Sequence, residues 1–431
     1  MSSFGGGRID VARPILLDRH TVSYDVSCTS EMRKYFSGRG MFITYDADIS
    51  IVPNALLLIP VLSTLAPIAW ALGADLSAHS IDAGFLRALG DIQRSFQRLH
   101  PEVSWSGDVF GDEVVDTRTS YPGRERAILF SGGVDSVTSA VVHREEKPLL
   151  VTVWGADLGL AQQRRWDQVS ASNWKFAQER SFNISFIKTN FRTFFNSYRL
   201  KPKYADHFPN WYSAFQQGLG LAGLCAPLSY LHDIGSIYVP STHTADYSPA
   251  WGSHPEIDNR VAWASTRTVH DGYGLSRQKK LNLLANYIRA EDARLPLRVC
   301  WGKGENCSAC EKCSITMIGL ALEGLDPNDH GFRFNSHTLP HIRRQLERGR
   351  FTMSDTLVWI LTEIQQQPIS ESDAPRVEGL KEFHAWLKGV SIEGLKRKSR
   401  RSLGKAVKGF LEKRPEPIGR SLRKTLGHPF P

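Results

Sequence analysis

Ile128-Leu-Phe-Ser-Gly-Gly-Val-Asp-Ser-Val137 is the stretch on which the reading of this chain turns. An apolar run from Ala127 to Phe130 stops at Ser131-Gly132-Gly133-Val134-Asp135-Ser136, then resumes as Val137-Thr-Ser-Ala-Val-Val142 with helical spacing. That pattern predicts strand, tight turn, helix. Two adjacent glycines carry no Cβ, so the backbone can turn sharply and bring successive N–H groups against a ligand. The helix that follows aims its first amides and its positive dipole end at the same point, and the hydroxyls of Ser131 and Ser136 add neutral donors. A phosphate chain fits such a site. The loop is not the Gly-Lys-Ser/Thr type, because no Lys-Ser/Thr follows and the glycines are spaced differently.

Beyond the loop, apolar runs alternate with helical stretches. Pro148 to Trp154, Ile184 to Ile187 and Ser236 to Pro240 read as buried strands; Gln162 to Glu179 and Trp211 to Leu231 read as helices. This alternation predicts an α/β fold, a parallel sheet with helices on both faces, whose ligands collect at the carboxyl ends of the strands. The loop, Trp154-Gly155-Ala156-Asp157 and Lys188-Thr-Asn190 all lie at such ends. Residues 1–120 read as an N-terminal α+β domain, with a strand at Met41–Tyr45 and a helix within Ser80–Leu99. Asp75, His79 and Asp82 suit a surface turn and a helix N-cap. Thr117 to Arg126 reads as a linker, residues 121–335 as the nucleotide and cysteine domain, and residues 336–431 as a helical extension. Two amphipathic helices, His341 to Leu361 and Val377 to Leu387, point Trp359 and Trp386 inward.

Composition is ordinary for a globular protein, with 41% hydrophobic and 23% charged residues. The net charge of +9 is concentrated between Lys396 and Lys424, where twelve Lys/Arg face only Glu412 and Glu416. A basic tail of this kind suits an acidic or nucleic-acid partner, or simply a solvated face. No signal peptide is visible, which makes a cytoplasmic location the expectation. Ile51 to Ala71 has nearly the length of a membrane span, but Pro53, Pro60 and Pro67 interrupt it and no basic cluster flanks it. A buried helix, and no membrane, is expected.

Three clusters carry chemistry. Cys300, Cys307, Cys310 and Cys313 supply four thiolates at a spacing that suits a closed tetrahedral Zn²⁺ site, an iron–sulfur cluster being the competing occupant. Tyr247-Ser-Pro-Ala-Trp251-Gly-Ser253-His254-Pro-Glu-Ile-Asp258 can grip a flat polar heterocycle, with Tyr247 or Trp251 stacking, Ser253 and His254 hydrogen bonding, and Asp258 accepting from an N–H edge. Arg277, ahead of a helix, can neutralise a phosphate or carboxylate. The plain alternatives are a structural histidine at 254 and a solvated helix start at 277.

Ser131-Gly-Gly-Val-Asp-Ser136 resembles the PP-loop of the ATP pyrophosphatases, whose nucleotide fold is HUP-like. The resemblance implies that Phe130, Ser131, Gly132, Gly133, Val134, Asp135 and Ser136, with Trp154 and Gly155, bind ATP and Mg²⁺. Ser131, Asp135 and Ser136 would assist attack of a substrate oxygen on the α-phosphate. The run Asn306-Cys-Ser-Ala-Cys-Glu-Lys-Cys313 downstream of such a loop is similar to the zinc site of the 7-cyano-7-deazaguanine synthase (QueC-like) family, and this likeness covers about residues 125–330. It implies an ATP-dependent C–N ligase that activates 7-carboxy-7-deazaguanine by adenylation. The added terminal regions, and Trp154-Gly-Ala-Asp157 in place of a Tyr-Gly-Gln-Arg-His type of segment, resemble the longer members found in antiphage operons (Qat and type IV CBASS). Those pass the activated deazaguanine to the N-terminus of a protein encoded nearby. Synthesis of the free nitrile or amide from ammonia is the alternative, and nucleic-acid (tRNA) modification a further one.

Overall fold

The computed structural model describes residues 7–118, 123–203, 210–300, 304–368 and 377–412. Its strands in chain order are β1 (Arg8–Val11), β2 (Ile15–Leu16), β3 (Thr21–Tyr24), β4 (Val26–Cys28), β5 (Met41–Tyr45), β6 (Asp75–Asp82), β7 (Val109–Val115), β8 (Glu125–Leu129), β9 (Leu149–Trp154), β10 (Ile184–Thr189), β11 (Ile234–Pro240), β12 (Ala262–Trp263) and β13 (Thr266–Asp271). The chain divides into two compact units: residues 1–131 with 135–274, and residues 275–431 with Gly132–Val134. These boundaries differ from the three segments expected at 120 and 335.

In the first unit nine strands form one sheet in the order β12-β13-β11-β8-β9-β10-β5-β3-β2. Its centre is the expected parallel core: β13, β11, β8, β9 and β10 pair parallel throughout. Counted along the chain, these five lie in the spatial order fifth, fourth, first, second, third, so the chain starts in the middle, builds outward, then returns to the other side of its first strand. Under the right-handed crossover rule this reversal puts the connecting helices of the two halves on opposite faces. It also creates a topological switch point between β8 and β11, where ligands of open α/β sheets bind.

The sheet is mixed rather than parallel throughout. β5 joins β10 antiparallel, with Tyr45 opposite Ile187 and Ile43 opposite Thr189, and β3 and β2 continue the antiparallel edge. Residues from the first fifty thus belong to the same sheet as the loop, and the expected separate N-terminal domain is replaced by a shared core. Fully buried tyrosines make the join: Tyr24 donates to the Leu57 carbonyl at 2.7 Å and Tyr45 to the Leu224 carbonyl at 2.9 Å. The remaining N-terminal strands form a second sheet, β4-β1-β6-β7. Asp82, at the end of β6, caps the helix Ala83–Leu99 by accepting from the Phe85 N–H at 2.7 Å, whereas Asp75 and His79 lie within β6 and not in a turn.

The apolar segment 51–71 becomes a core helix, Ile59–Leu72, buried along nearly its whole length. No helix among the described residues is long and apolar enough to cross a membrane. A Cβ on Gly223 would lie 2.0 Å from Ser63 Oγ, so the helix Gln217–Gly223 crosses this one closely only because glycine stands there.

The second unit is helical: Arg277–Glu291, Glu311–Leu322, Thr338–Glu347, Asp355–Gln366, Leu380–Gly389 and Ile392–Glu412. Ser276 and Ser354 cap two of these through their side chains. The single helix expected over 341–361 is two, parted at Gly349, whose φ of +62° and tight approach to Lys398 exclude a side chain. Trp359 and Trp386 are half-buried at the rim and not inward. The basic segment begins as a helix, with Lys396 bonded to Asp355 at 2.6 Å and Ser399 donating to the Phe351 carbonyl; Lys413 to Lys424 lie outside the described residues.

Candidate functional site

β8 ends at Leu129, and Phe130 stays anchored to β9: its N–H donates to the Val151 carbonyl at 2.8 Å and its carbonyl accepts from Thr152 Oγ1 at 2.7 Å. The chain then turns within the predicted loop. Gly132 has φ +77°, a conformation that costs other residues energy, and its carbonyl accepts from the Arg298 N–H at 2.8 Å. Ser136 closes the turn, its Oγ accepting from the Ser131 N–H at 3.2 Å and lying 3.3 Å from Ser131 Oγ. The helix Val134–Val142 starts at once, with Asp135 in its first turn. Strand, turn and helix are as the sequence predicts, and the turn stands at the switch point.

Across that switch point, Thr242 follows the end of β11, and its hydroxyl donates to Asp135 Oδ2 at 3.4 Å. The next residue, His243, meets Tyr247 and Trp251 edge-on, with ring centroids 5.7 and 5.6 Å away. Trp251 donates from Nε1 to Gln217 Oε1 at 2.7 Å. One continuous segment, Thr242 to Trp251, therefore joins the loop helix to an aromatic cluster of the kind expected at Tyr247 and Trp251.

The cluster is held by an unusual helix. Tyr212–Gln216 forms a π turn, wider than an α turn and frequent at functional sites. The peptide of Gly252 is spliced into the helical ladder there: its N–H donates to the Ser213 carbonyl at 2.7 Å and its carbonyl accepts from the Gly218 N–H at 2.8 Å. A Cβ at Gly252 would lie 2.8 Å from the Phe215 nitrogen. Trp211–Leu231, expected as one helix, is accordingly broken into pieces.

The other residues expected in the substrate loop work inside the chain. Asp258 is fully buried; its Oδ2 accepts from Ser253 at 2.7 Å and meets His270 Nδ1 at 2.7 Å. Through Oδ2 the carboxylate ties Ser253 and His270 together, while Oδ1 is buried without a hydrogen-bond partner among the described residues. His254 caps the short helix Pro255–Asp258. Its Nδ1 accepts from the Glu256 N–H at 3.1 Å, so the neutral ring carries its proton on Nε2, toward Ser248 Oγ at 2.9 Å. Burial, and then the charge of His270, lower its pKa in keeping with that neutral form.

On the far side of β8, the Trp154 side chain is buried. It stacks on Trp166 at 5.3 Å, with the Lys188 ammonium 4.8 Å from its ring centroid. In the same segment Asp157 is exposed. Gly155 allows this segment to touch β10: with φ +112°, a Cβ would sit 1.9 Å from the Thr189 carbonyl oxygen. Sequence reasoning missed Arg192 nearby, which stacks on Tyr212 at 3.8 Å and donates to the Ala156 carbonyl. Its only signal was its place just after β10.

In the second unit the four cysteines converge, their sulfurs all within 4.8 Å of one another. Cys307–Cys313 and Cys300–Cys310 are each 3.9 Å apart, close to the ~3.8 Å edge of a tetrahedron with ~2.3 Å Zn–S bonds. The donor set fits a metal such as zinc. Asn306 organises the surroundings: Oδ1 accepts from the Val299 and Cys300 N–H groups at 2.9 and 3.3 Å, and Nδ2 donates to the Leu297 and Gly331 carbonyls at 2.7 and 3.0 Å. Arg277, in the same unit, is half-buried and donates to Thr316 Oγ1 at 2.8 Å, on the helix that carries Cys313.

Comparison of the chain with protein-family models, with curated proteins and with solved structures gives no match.

Proposed function

We propose that this chain is an ATP-dependent C–N ligase that adenylates 7-carboxy-7-deazaguanine and transfers the acyl group to an amine, the N-terminus of a partner protein in antiphage defence. The supporting observation is the bond between Asp135 and Thr242, which ties a glycine loop at the switch point to the segment bearing His243, Tyr247 and Trp251. An anion site and a stacking surface for a heterocycle thus share one framework.

A carboxylate is a poor electrophile. Attack of its oxygen on the α-phosphorus of ATP releases pyrophosphate and leaves an acyl adenylate, which an amine opens with loss of AMP. Ser131 and Ser136, with the first turn of the helix Val134–Val142, offer donors to the phosphates. Asp135 is the carboxylate that would hold Mg²⁺, and the ion would neutralise charge on the departing pyrophosphate. Tyr247 and Trp251 position the heterocycle. The cysteine cluster, whose four thiolates leave a bound zinc no open position, holds the segment from Leu297 to Gly331 in place and takes no part in the chemistry.

Purified protein given ATP, Mg²⁺ and 7-carboxy-7-deazaguanine is expected to release pyrophosphate only when all three are present. Mass spectrometry of proteins encoded beside this chain is expected to find a deazaguanine adduct on an N-terminal amine. Efficient conversion to the free nitrile with ammonium alone would favour the small-molecule synthase instead. Loss of activity on deleting residues 395–431, with RNA binding lost in parallel, would favour nucleic-acid modification.

A further inference from the structure

We infer that Gln217 determines specificity in this site: oriented by Trp251, its amide turns N–H donors toward the all-acceptor edge of a flat heterocycle. The inference rests on the deazaguanine reading above and extends it to a residue that the sequence did not single out.

An indole N–H can only donate. The 2.7 Å contact from Trp251 Nε1 therefore fixes Oε1 of Gln217 toward the indole and turns Nε2 the other way. Nε2 has no partner among the described residues, although the side chain is half-buried. A buried polar group lies on the same segment as Trp251. Thr244, next to His243 in the chain, is 2% exposed, and its Oγ1 has no hydrogen-bond partner among the described residues. Buried polar atoms without partners are few in folded proteins, and each calls for a ligand, a water or another account. Thr244 is not loose: its N–H and carbonyl pair with the carbonyl and N–H of Tyr247 at 3.2 and 3.1 Å.

The backbone fixes Gln217 as firmly. It follows the π turn directly, and the Gly252 peptide locks the ladder on either side of it, from the Ser213 carbonyl to the Gly218 N–H. The same splice sets the position of Trp251, the neighbour of Gly252. Donor and stacking ring are thus held in register by one pair of backbone hydrogen bonds, which is the preorganisation a selective site needs.

The ligand chemistry follows. In 7-carboxy-7-deazaguanine the 6-oxo group and the 7-carboxylate project from the same edge of the bicycle, and both only accept hydrogen bonds. The two N–H groups of Nε2 complement that edge. A 6-amino heterocycle would set donor against donor and leave buried groups unpaired, which is how a polar site rejects an analogue.

Gln217→Glu tests this with little change of shape. It keeps an oxygen for the Trp251 N–H, removes both donors and places a negative charge against the acceptor edge. Binding of 7-carboxy-7-deazaguanine, measured by calorimetry on the full chain, is expected to weaken about 10- to 100-fold, with ATP·Mg²⁺ binding and thermal unfolding unchanged. Gln217→Met, which removes the amide without adding charge, is expected to fall between the two. Equal affinity in the wild type and both variants would overturn the inference alone. A wild-type chain that binds ATP·Mg²⁺ but no deazaguanine would overturn the substrate reading and this inference together.

Discussion

The strand-end region and the cysteine cluster treat polar atoms in opposite ways. Around the cysteines, Asn306 uses both side-chain atoms twice over, and four sulfurs point at one another. On the segment after β11 and the helix Gln217–Gly223, Thr244 keeps a hydroxyl and Gln217 an amide nitrogen without partners among the described residues. A region whose polar side chains are mostly bonded within it, Ser314 Oγ beside Cys313 being an exception among the described residues, is built to hold shape. One that leaves donors over is built to meet something else, and it needs rigid backbone to keep them in place; the Gly252 splice supplies that.

If the comparison holds, changes in the two regions should separate stability from chemistry. The largest expected effect is structural: Cys310→Ser should abolish stoichiometric metal content by elemental analysis and cost on the order of 5 kcal/mol of stability in thermal unfolding, the upper end for one substitution. Retained stability would remove the cluster's role as a scaffold. Next comes Asp135→Ala, expected to slow pyrophosphate release about 10²- to 10³-fold while leaving the melting temperature unchanged; a matching loss of stability would make the loop a scaffold as well.

Acid probes the floor beneath the aromatic cluster. His100 is fully buried and packs edge-on against Phe215 of the π turn at 4.8 Å. Burial first, and then the charge of His254, lower its pKa to about 4. A depressed histidine stabilises the fold above its unfolded pKa near 6.5, and that contribution is lost as pH falls toward 4. Denaturant unfolding at pH 7 and pH 4 is expected to differ by about 3 kcal/mol through this group, and His100→Phe should shrink the difference. The smallest effect belongs to Gly252→Ala. The added Cβ should cost about 1–3 kcal/mol and weaken heterocycle binding, read by calorimetry, more than it weakens ATP binding.

Local pattern reached the loop and the metal site because each is written in adjacent residues. Strand, glycine turn and helix are contiguous at 127–142, and three of the four cysteines lie within seven positions. It did not reach the antiparallel edge: the pairing of β5 with β10 joins Tyr45 to Ile187 across more than a hundred residues, and an apolar strand announces burial without naming its neighbour. Side-chain direction was equally hidden. Trp154 ends its strand stacked on Trp166, and Asp258 turns inward to His270, because contacts distant in sequence decide which way each points. Gln217 had no signal at all in a stretch that reads as plain helix.

The antiparallel edge has a consequence for anyone dissecting this chain. β5, backed by β3 and β2, pairs with the Ile187–Thr189 end of β10, which would otherwise present unpaired peptide groups. A fragment begun near residue 120 to isolate the nucleotide-binding part would bare those groups, along with the apolar surface under Tyr24 and Tyr45. Bare edges of this kind recruit other chains, so such a fragment is expected to aggregate on expression.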